Sequence, residues 1–156
     1  MTEPPKDRPT TVLVAEDEEG TRKFLCAALR AEGYTVLEAE NGGAAERAAG
    51  RFGVPVDLLV TDYVMPDFDG HELARRLRER FPHLKVLIVS GHIEEESVQK
   101  GVLEETFKRG AAFLQKPFDA EDLARKVRAV LLTQRPASTA PGGAGPSPPG
   151  GAAGER

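Results

Sequence analysis

Between about Thr10 and Leu132, short apolar runs rich in β-branched residues alternate with longer segments of helical period. No other feature of the chain restricts its fold as strongly. Five runs read as strands: TVLVA from Thr11, YTVL from Tyr34, DLLVT from Asp57, KVLIVS from Lys85 and AAFLQ from Ala111. They are nearly continuously apolar, which suits strands covered by helices on both faces. The alternation therefore predicts an α/β fold of βαβ units, doubly wound around a five-stranded parallel sheet.

The intervening segments carry their own boundary signals. Asp69 stands three residues before Glu72, and Asp119 three before Asp122, so each pair resembles a capping box with an acid as the cap. Leu73 and Leu77, then Leu123, Val127 and Val130 or Leu131, recur at helical spacing and should face the sheet. Cys26, the single cysteine, lies among Phe24, Leu25, Ala28 and Leu29 and reads as a small core hydrophobe.

With 156 residues and 40 % apolar content, the chain supports one globular domain, over 10–132. Residues 1–9 are polar and proline-rich and read as a flexible segment. Residues 133–156 are rich in Pro, Gly and Ala, hold too little bulky apolar surface to offset their ordering entropy, and read as a disordered tail. The formal charge of -4, without an isolated block of Lys or Arg, argues against direct nucleic-acid binding. Neither a signal sequence nor an apolar run of about 20 residues is found, so no membrane association is expected and the cytoplasm is the expected location.

In an open parallel sheet, function collects at the carboxyl ends of the strands. Here the first strand ends in Glu16 and Asp17, the third in Asp62, the fourth in Ser90 and the fifth in Lys116 and Pro117. A flavodoxin-like strand order, 2-1-3-4-5, would bring three carboxylates and one ammonium to a single crevice. Carboxylates so gathered need a compensating cation, and a hard divalent ion such as Mg²⁺ fits where phosphate is also handled. Asp62 could then act as a nucleophile towards a phosphoryl group, with Lys116 neutralising charge and the Ser90 hydroxyl donating to a phosphoryl oxygen.

At this point the chain resembles the receiver domains of two-component response regulators. The stretches VLVAEDE, VTDYVMPDFDG, VLIVSG and FLQKPF match that family's four motif blocks in order and in strand context. The resemblance implies that Asp62 is the phosphoacceptor and that Glu16, Asp17, Asp62 and the main-chain carbonyl of Val64 hold Mg²⁺. It implies switch roles for Ser90 and Phe113, pairing of Lys116 with the phosphate, and a cis bond between Lys116 and Pro117. Phosphoryl groups would come from a sensor histidine kinase or a histidine phosphotransfer protein. Output would pass to a protein target through the face made by the helix before the fifth strand, that strand and the last helix, with a phosphorylation-dependent homodimer as a further possibility. The reading is of a single-domain response regulator, a switch and not an enzyme on a diffusible substrate, although it would catalyse its own phosphorylation and dephosphorylation. Apolar Val64 borders the attacking water's path in this family and implies a fairly long-lived phosphoryl state.

Several positions depart from the commonest family pattern. Glu16 replaces the more frequent first Asp and lengthens that ligand. The stretch between Ser90 and Lys116 is a few residues longer than in compact chemotaxis-type receivers, contains Glu94, Glu95, Glu96 and Gly101, and predicts an irregular or offset helix. Its GVLEETFKRGAAFLQKPF portion resembles receivers attached to hybrid histidine kinases. His71, His83 and His92 have no second His or Cys at metal-ligand spacing, which argues against zinc. Asp67, Asp69 and Gly70 resemble part of a calcium loop, but Met65 and Arg76 occupy the positions of its first and last carboxylates. Two alternatives remain: a haloacid-dehalogenase-type phosphatase using Asp17, because Asp17-Glu18-Glu19-Gly20-Thr21 loosely resembles its DxDGT motif, and a docking module that no longer switches.

Overall fold

The apolar runs form five parallel strands: β1 (Thr11–Ala15), β2 (Thr35–Ala39), β3 (Leu58–Asp62), β4 (Lys85–Ser90) and β5 (Ala112–Gln115). The computed structural model describes residues 9–51, 53, 55–91 and 111–133. Among the described residues, four helices connect or follow the strands: α1 (Glu19–Ala31), α2 (Gly42–Arg51), α3 (Gly70–Arg80) and, after β5, α4 (Ala120–Leu132). The strand order is β2-β1-β3-β4-β5, the expected doubly wound arrangement. His92, the Glu94–Glu96 run, Gly101, the helix expected before β5 and most of both terminal segments lie outside the described residues.

Side-chain alternation along each strand builds two cores from one sheet. Leu13, Leu59, Val86 and Ile88 face Leu73 and Leu77 of α3 and Ala45 and Ala49 of α2. Val12, Val14, Leu58, Val60, Leu87 and Val89 face Leu25, Cys26 and Leu29 of α1 and Leu123, Val127 and Val130 of α4. Leu131 packs at the margin of this second core. Burial, with Glu38 nearby, pushes the Cys26 thiol up to about 11, so it is an inert core group.

Three strands depart from their sequence reading: β5 starts at Ala112, one residue after Ala111, and β2 and β3 are displaced. Gly33 adopts φ of +96°, and the Tyr34 N–H turns back to the Leu29 carbonyl (3.3 Å), so Tyr34 closes α1 and β2 starts one residue later. At the other end, Glu38 and Ala39 continue the pairing with Val14 and Ala15. Asp57 precedes β3, its carboxylate accepting from the Thr11 N–H (2.8 Å), and Asp62 ends the strand opposite Val89.

Asp119 and Asp122 form the expected reciprocal capping box on α4. Asp69 caps α3 by accepting from the Glu72 N–H (2.8 Å), but Glu72 turns its own carboxylate to Arg75 (2.7 Å) and Arg76 (2.8 Å). Two guanidiniums at helical spacing compete with one backbone N–H for that acid. At the far end of α4, the buried Lys85 donates to the carbonyls of Leu131 (2.9 Å) and Thr133 (3.0 Å), where the helix leaves acceptors without intrahelical partners.

Leu59 is fully buried on the central strand, whereas Leu132 is 83 % exposed. Leu59→Ala is expected to lower unfolding free energy by about 2–5 kcal/mol. Leu132→Ala should change it by no more than about 0.5 kcal/mol. Urea denaturation of both variants checks the pair.

Candidate functional site

The register of the sheet delivers the site. Ala15 pairs with Thr61, so Glu16 and Asp62 leave adjacent strands side by side. Asp62 pairs with Val89, and Ser90 pairs with Gln115, which sets Ser90 and Lys116 at the same edge. The Lys116 N–H donates to the Ser90 carbonyl (3.0 Å). Its ammonium lies between two acids, 3.4 Å from Glu16 Oε1 and 3.6 Å from Asp62 Oδ2. One carboxylate oxygen from each of Glu16, Asp17 and Asp62 lies within 4.8 Å of the others. No other cluster of three or more such ligands occurs among the described residues, and this one contains no histidine.

These acids sit in different surroundings. Glu16 is fully buried and Asp17 is exposed, while the Asp62 side chain keeps 14 % of its surface. Burial, reinforced by the Asp62 charge, pushes the Glu16 carboxyl up to about 7, against the lowering influence of Lys116 and the Glu18 N–H (3.2 Å). Burial also raises Asp62, with Asp17 acting in the same direction. Lys116 and the N–H groups of Tyr63 and Val64 oppose that rise. A single ammonium therefore does not balance the set: two unit charges about 4 Å apart interact by roughly 4 kcal/mol at an effective dielectric near 20. Oxygen donors of this kind, partly buried and short of positive charge, fit a hard divalent cation.

The remaining predicted residues stand around this crevice. Val64 follows β3 with its side chain 53 % exposed and its N–H directed to Asp62. Ser90 is buried at the end of β4. Phe113 lies on β5 opposite Ile88 and packs against the core on the α2–α3 side. The Lys116–Pro117 bond is cis.

Three supporting residues, Arg22, Glu18 and Gly70, were not read as part of the site from the sequence. Arg22 donates to the Glu16 carbonyl (2.9 Å) and faces Glu38 (3.7 Å), which fixes the turn that presents Glu16 and Asp17. Glu18 caps α1 by accepting from the Thr21 N–H (2.9 Å). Gly70 donates to the Tyr63 carbonyl (2.8 Å), and a Cβ there would lie 2.5 Å from the Asp62 carbonyl oxygen. Of these, only Gly70, directly behind an acidic cap, offered a hint in the sequence.

Residues 12–128 match the family described as the response regulator receiver domain. The response regulator receiver protein CpdR of Brucella abortus (strain 2308) is 38 % identical over 122 residues, covering 78 % of this chain and 96 % of CpdR. The sensor kinase CckA of the same organism is 39 % identical over 124 residues, which cover 80 % of this chain but only 13 % of the kinase. Among solved structures, the receiver domain of the hybrid histidine kinase CckA superposes with a TM-score of 0.63 at 33 % identity, covering 78 % of this chain and 98 % of that domain. None of these similarities supports the phosphatase reading. The chain belongs to the receiver domain family of response regulators.

Proposed function

We propose that Asp62 accepts a phosphoryl group from a phosphohistidine of another protein and that the modification switches protein contacts within a phosphorelay. The observation that carries this reading is the Asp62 carboxylate at the strand edge, 3.6 Å from the Lys116 ammonium and grouped with Glu16 and Asp17. In the transfer, a carboxylate oxygen of Asp62 forms a bond to phosphorus as the bond from phosphorus to the donor imidazole nitrogen breaks, and the imidazole recovers a proton from solvent.

Glu16, Asp17, Asp62 and the main-chain carbonyl of Val64 would hold Mg²⁺. When bound, Mg²⁺ supplies the positive charge that offsets both the carboxylates and the transferred group. Lys116 pairs with the incoming phosphoryl oxygens, and its ammonium, shared beforehand by Glu16 and Asp62, is already in place. The Ser90 hydroxyl donates to a phosphoryl oxygen, and Phe113 follows that movement inward, which carries the change to the β5 side of the domain.

The likeness to CpdR and to the CckA receiver supports a sensor histidine kinase or a histidine phosphotransfer protein as the donor. The downstream partner is a protein that reads the β5 and α4 side, and a second copy of the chain is one such reader. No helix among the described residues is long and apolar enough to cross a membrane. A cytoplasmic site of action agrees with the phosphorelay reading.

Incubation with acetyl phosphate and Mg²⁺ should add one labile phosphate by intact mass, and Asp62→Asn should abolish it. Hydrolysis of a phosphate ester that Asp17→Asn abolishes and Asp62→Asn leaves untouched would instead support the phosphatase alternative.

A raised carboxyl value means that the folded protein holds its proton more tightly than the unfolded chain. Without divalent ions, stability should therefore fall as pH rises from about 4.5 to about 7, the ordinary and folded values of Glu16. At about 1.4 kcal/mol per unit, the loss is on the order of 3 kcal/mol. Urea unfolding between pH 5 and 8 in chelator should show a shallower decline for Glu16→Gln, and Mg²⁺ should recover stability in the wild type at pH 8.

Val64→Asn is expected to shorten the phosphoryl lifetime by placing a water-binding amide at the exposed position beside Asp62. Dephosphorylation rates after removal of acetyl phosphate provide the comparison, and equal rates would count against a protective role for Val64.

A further inference from the structure

The connection from Tyr63 to Asp69 leads away from Asp62 and carries the Val64 carbonyl, yet Val64 itself is largely exposed. Tyr63 and Met65 on either side of it are buried in the core shared with α2 and α3, and polar contacts anchor the connection further. One anchor is at its end, where the Gly70 N–H holds the Tyr63 carbonyl (2.8 Å). The other reaches across to a different helix. Asp67 Oδ1 accepts from the Gly42 N–H (3.0 Å) and Oδ2 from the Gly43 N–H (2.8 Å), the first two donors of α2. Oδ1 also accepts from the Phe68 N–H (2.8 Å), which bends the connection around the carboxylate.

The neighbouring side chain completes the joint. Phe68 lies so close over Gly42 that a Cβ there would meet three ring atoms at 2.4–2.8 Å. The Arg76 guanidinium covers the same ring at 4.0 Å and pairs with Glu46 of α2 (3.1 Å). Helix α2 does not depend on Asp67 for an ordinary cap, because the Asn41 side chain already accepts from the Ala44 N–H (2.8 Å). The Asp67 carboxylate is thus additional to the helix's own capping, and what it adds is a tie between α2 and the connection beside Asp62.

We infer that Asp67 is a positioning residue that clamps the Tyr63–Asp69 connection to the start of α2 and so holds the Val64 main chain ready for a divalent ion. The inference rests on the reading of Glu16, Asp17, Asp62 and Val64 as ligands. Outer residues that orient ligands commonly change metal affinity by about 10–100-fold when removed.

The test uses Mn²⁺ as a paramagnetic probe of the unphosphorylated full chain, with free ion measured by electron paramagnetic resonance and thermal unfolding followed in parallel. Asp67→Ala should weaken Mn²⁺ binding about tenfold. Asp67→Asn, which keeps one oxygen acceptor, should fall between it and the wild type. Gly42→Ala, which displaces Phe68, should weaken binding without touching any acid. Asn41→Ala removes the ordinary cap of α2 and should lower the melting temperature while leaving Mn²⁺ affinity at the wild-type level. Wild-type affinity in Asp67→Ala, or an equal loss in Asn41→Ala, would overturn the clamp. If Asp67→Ala does not fold, Asp67→Asn and Gly42→Ala decide by the same criterion. Should the wild type take up no Mn²⁺ that Asp62→Asn removes, the ligand reading fails and the clamp falls with it.

Discussion

A parallel sheet covered on both faces has no lateral surface on which to display charge, and that restriction organises this molecule. All residues of β1 and β4 are buried, and in β3 only Asp62 at the end is partly accessible. An ionised side chain placed within these spans would be stranded in a medium that solvates it poorly. Glu16, Asp62 and Lys116 accordingly appear where the strands run out from under the helices. Lys85 marks the opposite edge and obeys the same rule, since its ammonium emerges onto the last carbonyls of α4.

Gathering the acids at one edge creates an electrostatic conflict that the folded chain only partly relieves. Lys116 lies between Glu16 and Asp62, but burial, with the Asp62 charge acting on Glu16 and the Asp17 charge on Asp62, still holds both carboxyls above their ordinary range. Such a site gains more from an added cation than a fully exposed cluster would, because the carboxyls of Glu16 and Asp62 are poorly solvated where they are buried. The same partial burial would suit the phosphoryl acceptance proposed for Asp62: its carboxylate is accessible from the edge, while its backbone is fixed by pairing with Val89 and by the close approach of Gly70. Rigid placement of this kind is the means by which a small chemical change at one side chain can be felt across the sheet.

Much of this arrangement was legible in the chain. Strands β1 and β4 occupy the spans read from their apolar runs, since a continuous apolar stretch has one good place between two layers of helix. The capping box of Asp119 and Asp122 was equally legible because it is local. The Asp69 box was half legible: its cap forms, but Arg75 and Arg76 claim the partner acid, and that competition is settled by side-chain geometry. Tyr34 was misplaced because an aromatic residue suits a strand, while the turn at Gly33 draws its backbone back to α1.

By itself, the sequence determined the succession of strands and helices, the two apolar faces and the residue types waiting at each strand end, because periodicity and capping act over a few neighbouring residues. Only the tertiary structure decided that Lys116 would reach Glu16, a partner 100 positions away, and that Asp67 would reach α2, 25 positions back. Those contacts follow from the β2-β1-β3-β4-β5 order and from the depth to which each group is buried. The size of the carboxyl shifts belongs there too, for the charge of a side chain is written in the chain, but its solvation is set by what the fold packs around it.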